Sequence, residues 1–163
     1  MTGRYELILS DPDFRKHLEI ITNREKTRKF CCHGFDHITD TARIGYIISL
    51  ERSSEISKDI IYAAALLHDI GRAYDDPALH HSIAGLGAAE KILEKCGYSH
   101  SEIRMITDAI AEHSHDKNEY DQKAADLKNI LNQADKLSRK CFCCDAYDEC
   151  NWPPEKKNET LIY

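Results

Sequence analysis

The sequence predicts an all-α fold, one bundle of about six helices. Three observations predict it. Ile60 to Leu67 is an apolar run broken only by Tyr62, which reads as a helix buried on every side. Elsewhere apolar residues recur three and four apart, as in Phe14, Leu18, Ile21 and again in Ile103, Ile106, Ile110. No β-hairpin signal interrupts these stripes, and no internal repeat or low-complexity stretch appears.

Composition bounds the rest. A chain of 163 residues, 42% hydrophobic and 31% charged, forms one domain with a sizeable core. We divide it into a helical domain over 1–140 and a cysteine-rich tail over 141–163 packed on it. The net charge of -6 argues against a nucleic-acid surface, which would want a basic stripe. An anionic substrate would need local cations or a metal to hold it. Met1 to Ser10 has no basic start followed by an apolar core, and no apolar run approaches the ~20 residues that cross a bilayer. The count of seven cysteines is odd, so we expect a cytoplasmic chain with thiols reduced or metal-bound.

Asp11-Pro12 starts the first helix, with Asp11 as cap and His17 packing beside the stripe. Asn23 to Lys29 is a polar connection. Phe30 to His37 is dense in potential ligands, with His33 in a loop and exposed, and Asp36 as the next cap. His37 then shares a face with Thr41, Ile44 and Ile48. Glu51 to Ser57 is a break. The buried helix follows, ends in His68-Asp69, and is stopped by Gly71 as a C′ glycine. His80-His81 opens a helix with a stripe of Ile83, Leu86, Ala89 and Leu93, ended at Cys96-Gly97. Gly85 and Gly87 inside it favour close packing or a ligand. Ser99 and Glu102 form a capping box, and His113 continues the apolar face that starts at Ile103, while His115 points elsewhere. The last helix is expected over Asp121 to Leu137, buried on Ala124, Leu127, Leu131, Ala134 and Ser138, with Asp135 at the edge of that stripe.

The chemistry lies in four of these residues. His37, His68, Asp69 and Asp135 all fall on inward faces. A lone histidine on such a face is more often a packed core residue than a ligand. A buried carboxylate without a partner, however, costs several kcal/mol or more. Two imidazoles with two carboxylates suit a divalent first-row ion with open positions for water.

This pattern resembles the HD-domain superfamily of metal-dependent phosphohydrolases. The matching residues are His37 in Asp-His-Ile-Thr-Asp-Thr-Ala, His68 and Asp69 in Ala-Leu-Leu-His-Asp-Ile-Gly-Arg, and Asp135 in Gln-Ala-Asp-Lys-Leu-Ser. The resemblance implies an all-α fold and a shared metal site, with Mn, Fe, Co, Ni, Zn or Mg as the ion. It implies hydrolysis of a phosphoester of a nucleotide or other small phosphorylated metabolite. His81 and His113 also match family positions, either as phosphate contacts or as ligands of a second metal. Asp69 and Arg72 are the expected catalytic residues, and Arg72, His81, His113 and Lys136 the expected substrate contacts. Many relatives carry a basic residue where this chain has Asp40, so no phosphate contact is assigned there. The expected partner is a small phosphorylated substrate, with no membrane and no nucleic acid; a homodimer is compatible with the sequence.

Cys141-x-x-Cys144 with Cys150 offers three thiolates in a loop, and Cys31, Cys32 or His33 could complete a structural zinc site or an iron–sulfur cluster. The plain reading is reduced thiols packed around Trp152. The tail, with Cys-Phe-x-Cys and Glu-Cys-x-Trp, is also similar to that of some small bacterial HD-domain proteins. Two other functions stay open: a di-iron oxygenase on the same fold, and a non-catalytic metal-bound ligand-sensing module.

Overall fold

The computed structural model describes residues 3–74, 77–114, 121 and 123–163. Its regular elements are α1 (Tyr5–Ser10), α2 (Pro12–Arg24), α3 (Phe35–Glu51), α4 (Lys58–Leu67), α5 (His81–Ala84), α6 (Leu86–Lys95), α7 (His100–Glu112) and α8 (Leu127–Leu137). Among the described residues a 3-10 turn at Ile70–Ala73 lies between α4 and α5, and two more, Cys141–Cys143 and Pro154–Lys156, follow α8. No strand occurs among the described residues. No helix is long and apolar enough to cross a membrane.

α4 is the centre. Ala63, Ala64, Ala65 and Leu67 have no exposed surface, and α1, α3, α7 and α8 pack around them. Small alanines let neighbouring helices come close, and the ring of Ile48, Ile61, Ile106, Ile110 and Ile130 fills the space between. Caps fix the helix starts. The Asp11 carboxylate accepts from the backbone N–H groups of Asp13 and Phe14, and Ser57 caps α4. Ser99 and Glu102 close the expected capping box, and Gly97, with φ of 79°, ends α6 as a left-handed C′ glycine.

Several expectations are corrected. Asp36 does not cap α3; Gly34 does, and Asp36 lies in the first turn, where a carboxylate suits the helix dipole. The helix expected from His80 to Leu93 is two helices that bend at Gly85, and Ile83 is 44% exposed as a result. α8 starts at Leu127, capped by Asp126, rather than at Asp121, because Asp126 takes the cap. α1 was not anticipated at all; at six residues it is too short to show a stripe. Gly71 is not a C′ glycine. The α4 helix ends at Leu67, and Gly71 sits inside the 3-10 turn against the backbone of α5. His115 lies outside the described residues.

Arg4 ties the chain start to the body. It reaches Glu102 at 2.6 Å and Asp59 at 2.8 Å. The hydrogen bond from Arg4 pulls the Glu102 carboxyl down to about 2, from the ordinary 4.5. A depressed carboxyl contributes stability above its unfolded value and loses it as pH falls through the folded one. We therefore expect Glu102→Gln to cost about 0.5–1 kcal/mol at neutral pH, discounted for solvent. That cost should fade between pH 4.5 and pH 2. Melting curves of both proteins across this range check it; a constant gap would contradict it.

Candidate metal centre and cleft

His68 and Asp69 are neighbours in sequence, yet both reach one point. The chain makes this possible by leaving the helix between them. His68 still has helical dihedrals, whereas Asp69, at φ -104° and ψ 7°, opens the 3-10 turn. α3 brings His37 from one side and α8 brings Asp135 from another. His37 Nε2 lies 3.2 Å from His68 Nε2, 3.4 Å from Asp69 Oδ2 and 3.3 Å from Asp135 Oδ1. His68 Nε2 lies 3.3 Å from Asp69 Oδ2 and 3.8 Å from Asp135 Oδ1. All four residues predicted as metal ligands thus converge.

The far side of each ring explains its orientation. His68 Nδ1 donates to the Ala65 carbonyl at 2.7 Å, and His113 Nδ1 to the Ile110 carbonyl at 2.6 Å. His37 Nδ1 donates to the Ser138 hydroxyl at 3.0 Å, which itself donates to the Asp135 carbonyl at 2.7 Å. A proton fixed on Nδ1 leaves Nε2 as the free lone pair, the usual arrangement behind a metal-bound imidazole.

A divalent ion fits this set. Asp69 Oδ2 is buried without a hydrogen-bond partner. Burial pulls the His68 imidazole down, but Asp69 and Asp135 outweigh it and hold the ring up at about 10. Burial raises both carboxyls, and the two imidazoles outweigh that and keep them well below the usual range. The site demands positive charge. Protons satisfy that demand poorly, because Nε2 protons on both rings would face each other across 3.2 Å. The mixed nitrogen and oxygen donors suit a first-row divalent ion. Two overlapping ligand sets share His68: one with His37 and Asp135, the other with Asp69 and His113.

His113 is 2% exposed and its ring meets His68 edge-on at 5.1 Å. His81 opens α5 and its Nε2 lies 3.3 Å from Asp69 Oδ1. Burial lowers His113 to about 4, helped by His68, and lowers His81 to about 3, helped by Arg72. Both are neutral imidazoles at physiological pH. Arg72 Nε donates to Asp69 Oδ1 at 2.7 Å, so Arg72 holds the carboxylate as well as facing the cleft.

Above the cluster lies a cleft of about 280 Å³. Its walls carry Arg28, Arg72, Lys136, Arg139 and Lys156, beside Trp152, His81 and His113. Gathering five cations at one cleft contrasts with the net charge of -6. Arg139 stacks on the Trp152 ring at 4.0 Å. Lys136 donates to Asn132 at 2.7 Å.

Sequence reasoning found His37, His68, Asp69, Arg72, His81, His113, Asp135 and Lys136 as candidates, and all eight meet at this centre or line its cleft. It missed Arg28, Arg139 and Lys156, whose positions in loops and turns carry no periodic signal. It also missed the role of Ser138, placed there only in a buried stripe. His33 was expected to be exposed; it is 8% exposed, because Glu25 takes both its backbone N–H and its ring Nδ1 at 2.6 Å. Asp40 pairs instead with Lys140 at 2.8 Å. Cys31, Cys32 and Cys143 are exposed, and Cys141, Cys144 and Cys150 are half-buried, all with free thiols. No three of these sulfurs lie within 4.8 Å of one another among the described residues.

The chain matches the family model of the HD domain over residues 34–140. A protein of Clostridium beijerinckii described as an uncharacterized protein is 38% identical over 161 residues, covering 98% of this chain and 99% of that one. No solved structure matches the chain.

Proposed function

The chain belongs to the HD domain family, and on that premise we propose that it is a metal-dependent phosphohydrolase acting on a nucleotide or other small phosphorylated metabolite. The observation that carries this reading is the pairing of the His-Asp cluster with a cationic cleft in an acidic protein.

His37, His68, Asp69 and Asp135 would hold the ion, with His81 and His113 placed for a second one or for the phosphoryl group. A bound divalent ion supplies Lewis acidity and a water of lowered pKa. The chain's own residues do the rest. Arg72 locks Asp69 through its Nε, so the carboxylate stays aimed inward without a search over rotamers. Arg72, Lys136, Arg139 and Lys156 neutralise charge on a phosphoryl group seated in the cleft. The neutral rings of His81 and His113 offer hydrogen bonds without adding a competing positive charge. Asp69 or a nearby carboxylate would take the proton of an attacking water. The cytoplasm, with its phosphorylated metabolites, suits such an enzyme.

A di-iron oxygenase could use the two overlapping ligand sets. The test is a panel of phosphomonoesters, nucleotides and cyclic nucleotides, run on chelator-stripped protein and after return of each divalent ion. We expect turnover that depends on the returned ion, and a raised KM in Lys136→Ala. A metal-loaded protein inert to the whole panel would favour the sensing module. Oxygen consumption by the iron form would favour the oxygenase.

A further inference from the structure

We propose that Cys31, Cys141, Cys144 and Cys150 bind a second metal ion, a zinc held by four thiolates, which clasps residues 141–163 to the helical body. The ligand set is distinct from the His-Asp centre but adjoins it, since Cys31 also lines the cleft and His37 also lines the cavity of Cys141 and Cys144. The existence of the site does not depend on what the cleft hydrolyses.

The first argument is that this segment has little else to hold it. It contains no α-helix, only two 3-10 turns of three residues each, and Ala146 is its one buried hydrophobic residue. Ordering backbone costs about 1–2 kcal/mol per residue, so apolar burial alone is a poor anchor here. Yet the segment sits in a defined place. Asn158 donates to the carbonyls of Lys136 and Arg139 at 2.8 Å each, and Arg139 stacks on Trp152. Zinc binding supplies folding free energy directly.

The second argument is placement. Lys29 pairs with Glu149, so the chain leading to Cys31 runs beside the residue that precedes Cys150. Cys31, Cys141 and Cys144 line one cavity of about 380 Å³, with Cys32 and Cys143 also on its wall, and Cys150 approaches from outside that lining. The Cys144 N–H donates to the Cys141 carbonyl at 3.2 Å, closing the turn of a Cys-x-x-Cys unit. Two ligands on one such turn and two from elsewhere is the spacing of structural zinc. Cys31 keeps an exposed face, but crowding at its sulfur pushes the thiol up, and Cys141 and Cys150 push the same way. Cys141 and Cys150 thus both lie close enough to Cys31 to act on its thiol. The three are not yet a compact set, so binding must turn the side chains inward. Cys32 and Cys143 are left over, exposed and directed at the carbonyls of Arg28 and Lys140.

The clasp has a consequence for the cleft. Arg139, Trp152 and Lys156 stand on its wall, and the last two belong to the clasped segment. Docking of the tail sets that wall.

Cobalt substitution tests the proposal with a readout independent of turnover. The protein would be the full-length His68→Ala/Asp69→Ala variant, whose His-Asp set is disabled. We expect it to retain about one zinc per chain. Cobalt in its place should give thiolate-to-metal charge transfer in the near ultraviolet and strong tetrahedral bands in the visible. Cys150→Ser should weaken or abolish those bands. If that variant fails to fold, wild-type protein still serves, because thiolate charge transfer cannot arise from the His-Asp ligands. Absence of these bands in folded, cobalt-loaded protein would overturn the proposal. So would anaerobically purified protein with broad visible absorption bleached by dithionite, which would mean an iron–sulfur cluster instead.

Discussion

Asp69→Ala is expected to abolish turnover and strip the ion from the His-Asp centre while leaving the chain folded. Asp69 supplies the one buried carboxylate oxygen in the cluster that has no hydrogen-bond partner. It joins His68 and His113 in one of the two overlapping ligand sets, with its Oδ2 3.4 Å from His37 Nε2 of the other. Its loss removes half of the negative charge that the cluster offers a cation. Arg72 also loses the carboxylate that orients it, at 2.7 Å. We expect a fall in kcat on the order of 10³ or more, since the ion and the oriented group are lost together. Stability should fall less than activity. Burial raises the Asp69 carboxyl, but its partners His68, His37 and Arg72 outweigh that and hold it well below the usual range. Its removal therefore lowers the melting temperature without unfolding the chain, while activity is lost outright. Metal content, steady-state kinetics and a thermal melt on one preparation check all three statements. Retained metal with full turnover would count against the assignment.

Gly71→Ala should be the most damaging change outside the ligands. A Cβ built there would sit 1.8 Å from the His81 carbonyl oxygen and 2.8 Å from the Gly85 nitrogen. These are backbone atoms, so no side chain can swing away. The turn after His68-Asp69 and the start of α5 touch through bare backbone, with Gly85 facing Gly71 from the other side. Parting them costs about 3 kcal/mol or more. At ~2–4 °C per kcal/mol for a chain of this size, the melting temperature should drop by about 6–12 °C. Activity should fall further than stability alone explains, because Asp69 and His81 flank the clash. Gly87→Ala is the control. It lies in α6 with nothing within 4 Å of an added Cβ. That change should stabilise by about 0.5–1 kcal/mol. Equal melting temperatures for the two variants would contradict this account of the turn.

Most of the candidate metal centre was legible because its residues interrupt patterns. His68-Asp69 ends an apolar run where charge has no place, and His113 continues a stripe of isoleucines. Such breaks are visible along a single helix. The cationic wall was not legible, since Arg28, Arg139 and Lys156 reach the cleft from loops and turns far apart in sequence, and exposed cations break no pattern. Gly71 shows a subtler limit. Its position after a helix suggested a cap, whereas a neighbour from another element, the α5 backbone, decides what the residue does. The same holds for His33, whose burial depends on Glu25 folding back on it. Helix boundaries failed where two caps competed, as between Asp121 and Asp126.

The most direct measurement is a crystal grown or soaked with manganese and diffracted at an energy where manganese scatters anomalously. The account predicts an anomalous peak bonded at about 2.0–2.3 Å to His37 Nε2, His68 Nε2, Asp69 Oδ2 and Asp135 Oδ1. A folded protein with no peak there, or with manganese bound elsewhere while those four side chains stay apart, would contradict it.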